Sequence, residues 1–118
     1  MRVLAGLILA GCIVLGGGSP IQQAPAKAAS RRNPLAGSDR AARAGVKLYE
    51  RECAECHGAN REGIGKAPPL ARADIRSAAP GAIFWVLRNG DLRHGMPSFA
   101  QLPEPERWQI VTYLQESR

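Results

Sequence analysis

The chain has 118 residues and a mass of 12.6 kDa, which leaves room for one domain and excludes a multidomain enzyme. Its net charge of +6 is concentrated at the start, because residues 1–38 contain four basic residues and no acidic one. The remaining residues carry 12 bases and 10 acids, a balance that does not describe a nucleic-acid-binding face, so we expect no nucleic-acid partner.

The first 28 residues are predicted to be a signal segment. Their apolar run over residues 3–15 has the length of a signal-peptide core and is too short for a membrane-spanning helix. Ala26-Lys27-Ala28 has the small-x-small form of a cleavage site, which would begin the mature chain at Ala29. Leu9-Ala10-Gly11-Cys12 alternatively resembles a bacterial lipoprotein signal ending at Cys12, and an uncleaved anchor is a third possibility. All three predict export, to the periplasm or to the outer face of the cytoplasmic membrane.

Residues 19–38 contain prolines and many small or polar side chains, without apolar periodicity. This composition is typical of an extended tether. We therefore predict a flexible linker at residues 29–38, between the signal segment at residues 1–28 and a single domain at residues 39–118.

The domain is predicted to be all-α and loop-rich, since no segment alternates like a strand. Ala42, Val46, Tyr49 and Cys53 recur at the spacing of one helical face, which predicts a first helix over residues 39–53. Further helical segments are predicted over residues 73–78, between Pro80 and Gly90, and from about Pro103 onward. A domain of this size with so few aromatic residues has a thin core, so something else should fill its centre.

Cys53-Ala54-Glu55-Cys56-His57 is the strongest chemical signal in the chain, because C-x-x-C-H is the attachment pattern of c-type haem. Two thiols one helical turn apart can form thioethers to the two vinyl groups of the porphyrin, while the adjacent His57 reaches the iron. Zinc bound by these three side chains and His94 is an alternative, but zinc sites usually include a second closely spaced pair. A redox-active dithiol is another, but no βαβ unit is visible. We predict one haem c, covalently bound through Cys53 and Cys56, with His57 as an iron ligand.

The second axial ligand must come from the far side of the haem, and the domain offers Met96 and His94. Met96 lies in the loop Gly95-Met96-Pro97, where a role as core filler is not expected. We predict Met96 as the ligand, with His94 or an open site as alternatives. A thioether ligand raises the reduction potential, and two filled axial positions leave no room for oxygen or peroxide. These are the properties of a one-electron carrier and not of an enzyme.

Over residues 39–117 the sequence resembles the class I c-type cytochromes. The resemblance rests on Cys53-Ala54-Glu55-Cys56-His57-Gly58, on Gly95-Met96-Pro97-Ser98-Phe99 and on Ile110-Val111-Thr112-Tyr113-Leu114. It implies a small cytochrome c fold wrapped around one haem. It also implies that the N- and C-terminal helices cross, with Gly45 packed under Tyr113.

A further part of the resemblance concerns the turn Ala67-Pro68-Pro69-Leu70, which is similar to the family's Gly-Pro-x-Leu turn but has Ala67 in place of glycine. It implies that the Pro68 carbonyl accepts the N–H of His57 and that Leu70 packs on the haem. Such a bond would fix the tautomer of the histidine and raise its basicity.

Candidate donors to the haem propionates are Trp85, Arg88 and Trp108, for which packing or solvation is an equal alternative.

The predicted function is one-electron transfer by an exported carrier. A haem subunit of a periplasmic dehydrogenase or oxidase is an alternative, as is a gas-binding module if Met96 is labile. The partners would be redox proteins of unknown identity. Membrane contact is possible through a lipid on Cys12 or through an uncleaved N-terminal segment.

Overall fold

The computed structural model describes residues 18–117, and the predictions made for Cys12 and for the apolar run lie outside that range. The helices are α1 (Ala26–Ala29), α2 (Asp39–Glu52), α3 (Ala54–His57), α4 (Ala73–Ser77), α5 (Pro80–Asn89) and α6 (Glu104–Glu116). Two short 3-10 turns, Pro20–Gln23 and Leu92–His94, complete the regular structure of these residues. The predicted all-α, loop-rich fold is confirmed. No helix in residues 18–117 is long and apolar enough to cross a membrane.

Helix α2 begins where the sequence predicts it, because Ser38 caps its N-terminus. The Ser38 hydroxyl accepts a hydrogen bond from the Ala41 N–H at 3.0 Å, which satisfies one of the free donors of the first turn. Leu48 and Tyr49 lie on the apolar face of the helix, and both are buried in the core. At its C-terminus the backbone leaves helical geometry at Cys53, and α3 follows immediately.

Helices α2 and α6 cross in close contact at Gly45, as the family resemblance implies. A Cβ atom at Gly45 would lie 2.1 Å from the Gln109 carbonyl oxygen and 2.7 Å from the Tyr113 Cβ. Only glycine permits the two backbones to approach so closely. The rings of Tyr49 and Tyr113 meet beside this crossing, with centroids 5.3 Å apart.

Helix α5 packs against α6 through two stacked aromatic rings. Phe84 and Trp108 lie parallel, with centroids 4.0 Å apart and an interplanar angle of 15°. Both side chains are buried, so the sequence-based suggestion that Trp108 reaches a propionate competes with a clear packing role. The carboxyl end of α5 then leads through Gly90 into the loop that holds Met96.

Residues 19–38 differ from the predicted extended tether, because they lie against the domain. They contain the Pro20–Gln23 turn and helix α1, and both of these contact α5. Ile21 and Leu35 are partly buried against the core. Local composition gave no sign of this packing, because the contacts that hold the segment come from α5 and α6, far along the chain.

Candidate functional site

The two motif cysteines lie at the junction of α2 and α3. Cys53 ends α2 and is buried in the core, whereas Cys56 lies in α3 and is exposed, and the two cysteines form no disulfide with each other. Burial raises the pKa of the Cys53 thiol to about 12, with smaller contributions from the charges of Glu52 and Cys56. This position therefore favours an uncharged sulfur, which suits a thioether.

His57 follows the second cysteine, and its ring is held by a main-chain acceptor. The Nδ1 atom lies 2.8 Å from the carbonyl oxygen of Pro68. A carbonyl can only accept, so Nδ1 donates the proton and Nε2 of the neutral ring keeps a free lone pair. The arrangement fixes the tautomer that can bind a metal through Nε2.

The loop from Gly58 to Leu70 carries that carbonyl to the histidine. The Leu70 N–H donates to the Arg61 carbonyl at 2.8 Å, and the Gly63 N–H donates to the His57 carbonyl at 2.7 Å. Gly63 has a φ of +81°, and a Cβ there would lie 2.7 Å from the Pro69 nitrogen, so this turn requires glycine. Leu70 is partly buried against the core.

Tyr49 connects α2 to the start of this loop. Its side chain is fully buried, and its hydroxyl donates to the Gly58 carbonyl at 2.7 Å, next to His57. Burial raises the pKa of Tyr49 well above 10, and the nearby Cys53 adds a smaller contribution. The tyrosine is therefore neutral at all physiological pH values, and it acts as a hydrogen-bond donor.

The Met96 loop is attached to the carboxyl end of α5. Asp91 and Met96 exchange two main-chain hydrogen bonds, each 3.0 Å long, which close a tight hairpin. Two carbonyls of the last turn of α5 also find partners in this loop: the Leu87 carbonyl accepts from the Phe99 N–H at 2.8 Å, and the Arg88 carbonyl accepts from the Ser98 hydroxyl at 2.5 Å.

The side chains of Met96 and His94 are placed differently. Met96 is partly buried and packs against the core. His94 has a side chain 73% exposed, and its Nδ1 lies 2.7 Å from the carboxylate of Asp91. Among residues 18–117, no three His, Cys, Asp or Glu side chains come close enough to hold a metal ion. The arrangement gives no support to a zinc site built from Cys53, Cys56 and the two histidines.

Two arginines, Arg61 and Arg107, are buried although the sequence does not predict it. Arg61 is 8% exposed and lies 4.9 Å from the centroid of the Tyr113 ring. Arg107 is equally buried, and its guanidinium lies 4.6 Å from the centroid of Phe84. Sequence offers no signal for either, because arginine is normally exposed and only the folded chain shows which aromatic face covers it.

The comparisons with known proteins converge on one class. A family model described as cytochrome C oxidase, cbb3-type, subunit III, matches residues 40–114. The quinohemoprotein alcohol dehydrogenase ADH-IIG of Pseudomonas putida is 33% identical over 105 residues, which are 85% of this chain and 14% of that protein. Cytochrome c550 of Pseudomonas aeruginosa is 34% identical over 90 residues, which are 71% of this chain and 61% of the relative. The chain thus spans less than two thirds of the length of either relative.

A solved structure has the same fold. It is the crystal structure of cytochrome CL from the marine methylotrophic bacterium Methylophaga aminisulfidivorans MPT, with a TM-score of 0.60 and 24% sequence identity. The match covers 70% of this chain and 57% of the cytochrome CL chain. At 24% identity, the similarity to this structure shows only that the two chains share a fold. The family is shown by the family model that matches residues 40–114.

Proposed function

The chain is a class I c-type cytochrome, a member of the family described as cytochrome C oxidase, cbb3-type, subunit III, and from this membership we propose which residues hold its haem and where it works. The domain binds haem c covalently and transfers single electrons, and it is not itself an enzyme. Cys53 and Cys56 have the spacing of the attachment motif. Their thioethers, His57 and Met96 form the proposed haem site.

The hydrogen bond from His57 to the Pro68 carbonyl is the observation that carries the proposal. It turns the metal-binding nitrogen of the ring away from its own loop and increases its basicity. A surface histidine without a ligand role would not need a main-chain carbonyl to set its tautomer. Leu70, at the end of the same turn, is proposed to pack on the proximal face of the haem.

Met96 is proposed as the second iron ligand because its side chain is partly buried against the core and its loop is restrained. The paired main-chain bonds with Asp91 fix the hairpin, and the Ser98 hydroxyl ties it to α5. His94 is exposed and already bonded to Asp91, so it is the weaker candidate. Bound between these ligands, haem iron would supply a one-electron redox couple, and the chain's part is to hold both axial positions and exclude other ligands.

The working place is proposed to be outside the cytoplasmic membrane, because the apolar segment at residues 3–15 has the form of an export signal. The partners are redox proteins that deliver and remove electrons. A role as the haem module of a dehydrogenase is the second candidate function. It is favoured by the 33% identity to part of a quinohemoprotein alcohol dehydrogenase. Measuring whether the purified protein co-migrates with a dehydrogenase subunit, or alone, would separate these two roles.

The experiment that tests the ligand assignment is the absorption spectrum of the oxidised protein, produced with haem maturation. We expect a low-spin spectrum with the weak sulfur-to-iron charge-transfer band in the far red. Met96→Ala should keep the covalent haem, lose that band and change the spin state, whereas His94→Ala should keep it. Loss of the band in His94→Ala alone, or carbon monoxide binding to the unmodified ferrous protein at neutral pH, would contradict the assignment and favour a gas-binding role.

A further inference from the structure

Helix α5 is buried on more than the one face that packs against the core. Six of its ten residues are buried: Gly81, Ala82, Ile83, Phe84, Val86 and Leu87. These positions are too many for a single helical face, and a helix that is apolar nearly all round must be covered on a second side. The cover is residues 19–38, called here the N-terminal arm, whose Pro20–Gln23 turn and α1 both contact α5.

The contact between the arm and α5 is made backbone to backbone at Gly81. A Cβ atom there would lie 2.2 Å from the Ala28 carbonyl oxygen and 2.8 Å from that of Arg31. Gly81 has no positive φ that would call for glycine on conformational grounds. The close approach of the arm therefore explains why the second residue of this helix has no side chain.

Arg31 and Asn33 attach the arm to α6. The Arg31 guanidinium lies 4.7 Å from the centroid of Phe84 and 5.5 Å from that of Trp108, and it also forms an ion pair with Glu104. The Asn33 amide donates to the hydroxyl of Thr112 at 2.8 Å, and Thr112 is fully buried.

The predicted cleavage site lies inside this packed segment. Ala26-Lys27-Ala28 is part of α1, and a chain that began at Ala29 would lack the Pro20–Gln23 turn and the partly buried Ile21. Its α5 would lose much of its outer cover, although the contacts of Arg31 and Asn33 would remain. Apolar surface covered in the full chain would then be exposed to water, at a cost in stability that grows with its area.

We propose that the N-terminal arm is a permanent part of the folded haem domain, so that any cut that removes the export signal falls before Ser19 and not after Ala28. The domain that meets redox partners then includes three positive charges, Lys27, Arg31 and Arg32. A cut after Ala28 would remove Lys27, and a mobile tether would displace all three. The proposal rests on export, as proposed above, but not on which residue fills the second axial position.

The direct test is the intact mass of the full chain, exported with haem maturation and recovered from periplasmic and membrane fractions. We expect a polypeptide that begins at or before Ser19, including a lipid-modified or uncleaved chain. A first residue anywhere after Ser19 would overturn the proposal. The mass also shows whether haem is covalently bound. A haem-bearing chain that begins at Ala29 would refute the proposal about the arm but not the haem assignment. A haem-free chain with the arm intact would refute the haem assignment but not the proposal about the arm.

A substitution at Gly81 tests the packing in the same exported protein. Gly81→Ala should lower the melting temperature by several degrees and speed tryptic cleavage after Lys27 and Arg31, because the new Cβ collides with the arm and loosens its backbone. Asn89→Ala, at the exposed end of the same helix, is the control and should do neither. An unchanged or higher melting temperature for Gly81→Ala, without faster cleavage, would show that the arm does not rest on α5.

Discussion

Removing the buried hydroxyl of Tyr49 should weaken the junction between α2 and the haem-bearing segment. Tyr49→Phe deletes the 2.7 Å bond to the Gly58 carbonyl and leaves that carbonyl without this donor. Losing a buried hydrogen bond while its partner stays in place costs about 1–3 kcal/mol. We therefore expect the free energy of unfolding at pH 7 to fall by that amount, measured by urea denaturation of the haem-loaded protein with far-UV circular dichroism.

The same substitution should change the pH dependence of stability in a direction fixed by the tyrosine pKa. The pKa of Tyr49 is raised by burial, so the folded state favours the neutral phenol. This contribution is fully present below pH 10, the ordinary value, and is lost as the pH rises from 10 toward the raised folded value. In that window the unmodified protein should lose up to about 1.4 kcal/mol per pH unit from this group, whereas Tyr49→Phe should not.

Tyr113→Phe is the matched control, because its ring lies 5.3 Å away at the same crossing. No hydrogen bond of the Tyr113 hydroxyl is found among residues 18–117, so its removal should change stability at pH 7 by less than about 0.5 kcal/mol. Two results would refute the reasoning: equal stability of Tyr49→Phe and the unmodified protein at pH 7, or stability curves that stay parallel above pH 10.

Three further predictions concern the crossing of α2 and α6, the Met96 loop and the two motif cysteines. Gly45→Ala should lower stability by about 1–3 kcal/mol in urea denaturation, because its Cβ would lie 2.1 Å from a carbonyl oxygen, whereas the exposed Lys47→Ala should be near neutral. Ser98→Ala should lower the temperature at which the far-red band disappears more than the temperature of global unfolding; equal shifts would contradict a local role. Cys53→Ala combined with Cys56→Ala should abolish cooperative folding seen by circular dichroism, and a folded, haem-free double variant would count against the haem-centred core.

Most helices of the domain could be predicted, because local chemistry specifies their ends. The helix predicted over residues 39–53 agrees with Asp39–Glu52 to within one residue. The agreement is close because Ser38 caps the start of the helix and the attachment motif follows its end. Pro80 and Gly90 likewise bound α5 as expected from their positions. The crossing at Gly45 followed from the family resemblance, which carries long-range information that a single helix pattern lacks.

The arm and the buried arginines could not be predicted, because distant residues determine them. The arm has no apolar stripe of its own, and its stability comes from Gly81, Phe84 and Thr112, which are about 50 to 80 positions further along. Arg107 likewise looks like an ordinary surface residue until Phe84 covers it. Short elements such as α3 also leave no periodic signal, because four residues make one turn.

The acceptor of the His57 proton is a main-chain carbonyl, and this has a consequence for redesign. A side-chain acceptor could be deleted by one codon change, but every residue that replaces Pro68 brings the same carbonyl. Adjusting the basicity of His57, and with it the reduction potential expected for this proposed iron ligand, therefore requires a change in the path of the loop. The positive-φ Gly63 and the Leu70–Arg61 bond set that path, so an engineer seeking a different potential would alter the loop's bends or its length.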